Sequence, residues 1–244
     1  MKLISLNTWC GKIYEPLKKF IEDNANETDI FCFQEIRNGK YLDRWEAEDE
    51  VEDLFEKIEN ILPNFKGYFT EMTPGLGLAT YIKNTLEVEK FYSSTVLSSE
   101  ELEDIEKFEN RTTKPRVIQV ITLKNKLSIL NFHGIYGGYK KDTKERELQT
   151  KRIQEILIKL DEPKILIGDF NLNPDTNAVA ELEKLMRNLI KENNINATRS
   201  DLYEEKEIMP FADYAFVSKD INIKDFRVLQ DEVSDHLPLF LEIK

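Results

Sequence analysis

Only two of the 244 residues are cysteine and only two are histidine. A disulfide framework needs more cysteines and an oxidising compartment, and a thiolate metal site needs them clustered. Cys10 and Cys32 instead lie in or beside apolar stretches, where a free thiol behaves as a small buried hydrophobe. No apolar run approaches the roughly 20 residues of a membrane span. The opening stretch MKLISLNTWCGK carries no signal-peptide pattern, so a cytoplasmic location is expected. Basic residues are also short: 34 Lys and Arg stand against 46 Asp and Glu, a net charge of −12. Nonspecific nucleic-acid binding needs cations that neutralise phosphates, so the charge argues against a general DNA coater. An enzyme that meets phosphodiesters only briefly, with the help of a metal, remains open. No Pro/Gly/Ser-rich linker or internal repeat divides the chain, and residues 1–244 read as one domain.

What is present is an alternation of strand-like and helix-like segments. Residues 2–9, 29–35, 77–83, 86–92, 116–123, 126–133, 211–218 and 237–243 are short apolar runs bounded by polar turns, the pattern of strands. Pro16 can open a helix that puts Leu17, Phe20 and Ile21 on one face. Residues 43–62 space Val51, Leu54, Phe55, Ile58, Ile61 and Leu62 as an amphipathic helix. A further helix is expected from Thr143 to Leu160, with a capping box from Asp142 to Glu145, and another from Thr176 to Lys191. The acidic segment 98–112 reads as a surface insertion or lid. Strands outnumber helices and several are adjacent in sequence, which implies mixed or antiparallel sheets covered by helices.

The stretch IGDFNLNP (167–174) follows an apolar run directly, and by itself it reads as a strand-ending turn. Other polar residues fall at comparable places. Asn7, Glu35, His133 and Asp169 end predicted strands, Asp213 begins one, and Ser234-Asp235-His236 precedes another. Where neighbouring strands run antiparallel, the end of one and the start of the next share a rim, so all of these can converge. Carboxylates and carboxamides with few nitrogens suit Mg²⁺ or Mn²⁺. The pair Asp169 and Asn171 can hold an attacking water against a phosphate, and Asp213 can orient an imidazole. The loop GIYGGYKKD (134–142) reads either as a flexible connection or as a substrate lip in which Tyr136 or Tyr139 stacks on a ring. Arg111, Lys114, Arg116 and Arg199 read as phosphate contacts or as ordinary solvated charge. PGLGLAT (74–80) lacks the third glycine of a nucleotide loop and reads as a turn into a strand.

LNTW, FQE, NFHG, GDFN, ADYAFVS and SDHLPL, in this order from residue 3 to about 240, resemble the endonuclease/exonuclease/phosphatase superfamily with its deoxyribonuclease I-like fold. The resemblance implies an α/β four-layer sandwich: two mixed β-sheets packed face to face with helices on the outside. It also implies Mg²⁺-dependent phosphoester cleavage, with Mn²⁺ as a substitute. By motif, Glu35 resembles the principal metal ligand, with Asn7 and Asp235 in the metal shell. Asp169 resembles the residue that positions the attacking water, and Asn171 the one that holds the phosphate. His236 resembles the phosphate-contacting or general-base histidine buttressed by Asp213. His133 resembles a second histidine found in deoxyribonuclease I and neutral sphingomyelinases, a general acid, with Glu71 either its orienter or a solvated carboxylate.

The Trp, Arg and Cys-Asp-Arg signatures of inositol-polyphosphate 5-phosphatases are absent, and the match to abasic-site endonucleases is partial. The expectation is a monomeric, cytoplasmic phosphodiesterase or nuclease whose partner is a phosphoester, nucleic acid included, with no membrane span. The alternatives are a phosphomonoesterase, a sphingomyelinase-like lipid phosphodiesterase, and a noncatalytic module with the same fold.

Overall fold

The computed structural model describes residues 1–39, 49–102, 115–161 and 163–244. In chain order it begins with β1 (Lys2–Asn7), α1 (Tyr14–Asn24), β2 (Ile30–Arg37), α2 (Leu54–Ile61), β3 (Phe65–Thr73) and β4 (Leu76–Lys83). Next come β5 (Val88–Leu97), α3 (Ser99–Leu102), β6 (Arg116–Leu123), β7 (Ser128–His133), α4 (Lys144–Lys159) and β8 (Lys164–Asp169). The chain ends with α5 (Asn177–Glu183), β9 (Arg187–Asn188), α6 (Leu189–Glu192), β10 (Asp213–Val217), β11 (Ile223–Val228) and β12 (Leu239–Ile243). Two mixed six-stranded sheets form, in the orders β11-β12-β1-β2-β4-β3 and β5-β6-β7-β8-β10-β9.

Strand β2 shows how the layers arise. Side chains alternate across a strand, and here both faces are covered. Phe31 and Phe33 pack with Leu17 and Ile21 of α1 and Leu54 and Ile58 of α2. Ile30 and Cys32 turn to the other sheet and join the large cluster with Ile118, Leu130 and Ile165. On the far side of the second sheet, Ile153 and Leu157 of α4 and Val179 and Leu182 of α5 complete that cluster. The order is helix, sheet, sheet, helix, the expected four-layer α/β sandwich.

The space between the sheets is not uniform. One end is lined by Leu3, Ile30, Ile165, Leu241 and Ile243, with no room for water. Nearer the carboxyl ends of β2 and β7 a polar seam replaces the aliphatic packing. Gln34 Nε2 donates to Asn131 Oδ1 at 2.7 Å and to Ser5 Oγ at 3.3 Å. Asn131 Nδ2 donates to the carbonyls of Phe33 and Ala79. Thr80 donates to Gln119, and Gln119 Nε2 donates to Thr70 Oγ1. Each of these side chains is at most 6% exposed, so the bonds they make are directional constraints between the sheets.

Four expectations about elements change. The predicted 176–191 helix is broken: α5 stops at Glu183, and Arg187 and Asn188 pair with Val217 and Phe216 to close the sheet edge. Asn188 then caps α6 through Ile190 N and Lys191 N, a local side-chain bond that competes with helix continuation. The cap of α4 is Thr143, which accepts from Arg146 N, not Asp142. Asp142 instead accepts from Asn177 N and Ala178 N at the start of α5. Helix α2 begins at Leu54, and residues 43–48 lie outside the described residues. Strands β3 and β11 were not foreseen; FKGYFTEMT and IKDFRV lie on sheet edges where one face stays wet. Of the 98–112 segment, 98–102 is described and contains α3.

Candidate active site

The strand register brings the motif residues to one rim. In β7 and β8, His133 lies opposite Asp169, and in β8 and β10 Asp169 lies opposite Asp213. In the other sheet Asn7 pairs with Gln34, next to Glu35. Glu35 is the bulged residue of β2, at φ 55; a bulge of this kind re-aims a side chain at a strand end. Gly168 is required where β7 and β8 converge: its φ is +140, and a Cβ there would stand 2.1 Å from the Phe132 carbonyl oxygen. That steric demand explains why a glycine precedes Asp169 in the sequence.

Asn7 joins the two sheets. Its Nδ2 donates to Glu35 Oε1 at 3.2 Å and to Asp169 Oδ2 at 3.0 Å, while its Oδ1 accepts from Trp9 N. Asp169 also accepts from the backbone and side-chain nitrogens of Asn171, at 2.8 and 3.2 Å. Asn171 has a φ of 51, a left-handed conformation that asparagine tolerates. His236 Nδ1 lies 2.8 and 3.0 Å from the two oxygens of Asp213, and its Nε2 lies 3.6 Å from Asp169 Oδ2 and 3.8 Å from Asp235 Oδ1. His133 Nε2 lies 3.4 Å from Asn171 Nδ2 and 3.5 Å from Asp169 Oδ2. Every one of the eight expected residues, Asn7, Glu35, His133, Asp169, Asn171, Asp213, Asp235 and His236, therefore belongs to one linked group.

The charges follow from this packing. Burial, reinforced by Asp235, raises the pKa of Glu35 above the ordinary glutamate value. Burial acts in the same direction on Asp169, but His236, His133, Arg199 and the Asn7 hydrogen bond outweigh it and hold that carboxyl below the usual range. For His236, burial and Arg199 favour the neutral ring, yet Asp213, Asp235 and Asp169 together raise its pKa. Burial raises Asp213 and pushes His133 down to about 3.

The oxygen-rich donor set fits a hard divalent cation. Glu35 is the most open of the acids, its side chain 27% exposed, and among the described residues no Lys or Arg pairs with it. Asp169, Asp213 and His236 also present ligand atoms within 4.8 Å of one another.

Arg199, which read either as a phosphate contact or as solvated charge, is 2% exposed; its Nη1 donates to Asp235 Oδ2 at 2.6 Å and its guanidinium lies 4.1 Å from the centre of the Tyr203 ring. Two further participants escaped the sequence reading. Ser234 Oγ donates to the Asn7 carbonyl at 2.7 Å and accepts from His236 N. Thr198 Oγ1 accepts from Ala212 N and Asp213 N. Nothing in ATRS or in the spacing to residue 235 announces these contacts, because they join segments far apart in sequence. Arg116 is buried, with NH1 3.3 Å from Met72 Sδ; Arg111 and Lys114 lie outside the described residues. Glu71 accepts from Gly75 N in the turn after β3.

Beside the centre, the 134–142 loop is strapped down. Buried Arg146 donates to the carbonyls of Ile135, Gly137, Lys141 and Asn171. Asn173 holds the carbonyls of Lys140 and Tyr139. Tyr136 and Tyr139 project from this loop, 53% and 67% exposed. Lys140 is buried and donates to the Phe211 carbonyl at 2.6 Å.

A model of the Endonuclease/Exonuclease/phosphatase family matches residues 4–236. The fold is similar to that of a mannosyl-6-phosphatase from Bacteroides thetaiotaomicron (TM-score 0.75, 16% identity), with 100% of this chain and 99% of that one covered. It is similar to an endonuclease/exonuclease/phosphatase from Bacteroides vulgatus (0.74, 16%; 100% and 98%) and to the human Nocturnin catalytic domain (0.68, 17%; 100% and 93%). No curated protein matches the chain significantly. Among the described residues no helix is long and apolar enough to cross a membrane.

Proposed function

This chain belongs to the Endonuclease/Exonuclease/phosphatase family, and from that premise we propose that it is a Mg²⁺- or Mn²⁺-dependent phosphodiesterase or nuclease that cleaves a P–O bond with an activated water. The observation that carries the reading is the Asn7 amide, bonded at once to Glu35 of one sheet and Asp169 of the other. A merely structural amide would not need two carboxylates drawn together from different sheets, an arrangement that costs repulsion unless a cation or a reaction uses it.

Glu35 would be the principal metal ligand, with Asn7 and Asp235 beside it. A hard divalent ion there would offset charge on the phosphoryl and leaving oxygens. Asp169, held ionised, accepts a proton from the attacking water or orients it. Asn171 Nδ2 holds a phosphate oxygen. His236, whose pKa Asp213, Asp235 and Asp169 raise against burial and Arg199, contacts the phosphate or serves as the general base, and His133, whose pKa burial lowers, hydrogen bonds the ester. The unit acts as one domain, a monomer in the cytoplasm.

A second reading, a phosphomonoesterase, is favoured by the depth of the centre. Asp169 and Asn171 are each 1% exposed, so a small terminal phosphate reaches them more easily than a duplex backbone. Hydrolysis of an aryl phosphodiester, an aryl phosphomonoester and plasmid DNA, with Mg²⁺, Mn²⁺ or chelator, separates the readings. Metal-dependent turnover abolished by Glu35→Ala and His236→Ala is expected. A folded protein without turnover on any of the three and without metal binding would sink the enzymatic reading in favour of a noncatalytic module.

A further inference from the structure

We infer that Arg199 is the built-in second cation of this centre, so that the site takes a single divalent ion at Glu35 and Asn7 and not a pair. This rests on the hydrolase reading above and concerns how many ions that site holds. Two-metal hydrolases place their ions about 3.5–4 Å apart, one near the attacking and one near the leaving oxygen. In this chain a guanidinium already occupies the side of the centre defined by Asp235, Asn171 and Tyr203.

Its geometry is that of a fixed charge. Nη1 donates to Asp235 Oδ2 at 2.6 Å, while the Ser234 hydroxyl gives its one proton to the Asn7 carbonyl and leaves Asp235 Oδ1 available to the ion's shell beside Glu35 and Asn7. NH2 stands 3.5 Å from Asn171 Oδ1, too far for a firm bond. Nε is buried with no hydrogen-bond partner among the described residues. Two donor positions are thus underused beside the amide that would hold the phosphate, and a guanidinium fork matches phosphate oxygens. The residue is held from all sides: Tyr203 stacks on it, its N–H donates to the Pro210 carbonyl at 3.0 Å, and its backbone bridges to His236.

Charge placement agrees. Asp235 pairs with Arg199, Asp213 pairs with His236, and Asp169 lies 3.6 Å from His236. Glu35 has only Asn7, the Cys10 thiol and the neutral His133 ring within reach among the described residues. Four carboxylates share two basic groups, Arg199 and His236, so two of them lack a cation of their own, the charge that one divalent ion at Glu35 compensates. A second would have to displace Arg199 from Asp235, and breaking a buried pair leaves an uncompensated charge.

The test counts bound Mn²⁺ by electron paramagnetic resonance in the full chain, with thermal unfolding followed in the same buffer. The parent is expected to bind one ion and Glu35→Gln none. Arg199→Lys, which keeps the charge, is expected to bind one. Arg199→Met is expected to admit a second ion and to lose about a hundredfold in hydrolysis, the scale of removing one preorganised donor. Two ions in the parent would overturn this inference alone. No ion in the folded parent would overturn the hydrolase reading with it. Because the parent count decides by itself, a poorly folding Arg199→Met leaves the inference falsifiable; a folded one with one ion and full turnover would also overturn it.

Discussion

Between the two sheets, the end lined by Leu3, Ile30, Ile165, Leu241 and Ile243 and the end that carries Gln34, Asn131, Thr80 and Gln119 bury their side chains almost equally well. They do so with different physics. Aliphatic contact is nondirectional, so the first end stabilises association of the sheets while tolerating small slides. The hydrogen-bonded end is satisfied only in one register, because a slide would leave amides buried without partners. That second end lies directly behind Glu35 and His133, one residue from Gln34 and two from Asn131. Bulk stability and active-site registration are therefore separate duties at opposite ends of one interface.

Substitutions can break or sharpen this contrast. The largest effect is expected at the centre itself: Asp213→Asn should lower hydrolysis on the order of 10³–10⁴-fold, the scale seen when the orienting carboxylate of a triad is neutralised. The same variant should lower the His236 pKa, read by imidazole NMR in metal-free protein. In the parent that pKa is raised, so the stabilisation it reports is complete below the unfolded value near 6.5 and is lost as pH rises through the folded one. Asp213→Asn should flatten that dependence. At the aliphatic end, Leu241→Ala should cost about 2–5 kcal/mol in denaturant unfolding and leave kcat unchanged where the protein is folded. Asn131→Leu should cost about 1–3 kcal/mol and, unlike Leu241→Ala, lower kcat about tenfold by misplacing the two sheets' groups; an unchanged kcat would dissolve the distinction. The smallest effect belongs to the surface. Arg152 holds Glu101 at a pKa of about 2, but both side chains are about a third exposed. Glu101→Gln should therefore cost under about 1 kcal/mol. Since that pKa is depressed, the contribution is present above pH 4.5 and disappears as pH falls toward 2.

Strands buried on both faces, such as KILIGD and SILNFH, are announced by apolar runs that leave no ambiguity, and of the half-wet edge strands only β5 was read, over 86–92. Edge strands β3 and β11 were hidden because a half-wet strand mixes lysine and aspartate into its pattern. The site was legible where a residue's position relative to a strand end carried the signal, as for Asn7, Glu35, His133 and Asp169. Arg199 was legible only as one of four candidate cations, and the roles of Ser234 and Thr198 were not, since each acts through contacts made only when remote segments meet. The Asp142 cap failed for a similar reason: its carboxylate was spent on α5, not on the helix next to it.

The strapping of the 134–142 loop has a kinetic and entropic consequence. Its backbone carbonyls are already immobilised by Arg146 and Asn173, and Asp142 ties its end to α5. The exposed rings of Tyr136 and Tyr139 therefore ride on a frame whose conformational freedom was surrendered during folding. A planar group stacking there would need to quench little more than two ring torsions and its own tumbling. Encounter should then resemble docking onto a prepared surface, with association rates that do not wait for a loop to rearrange.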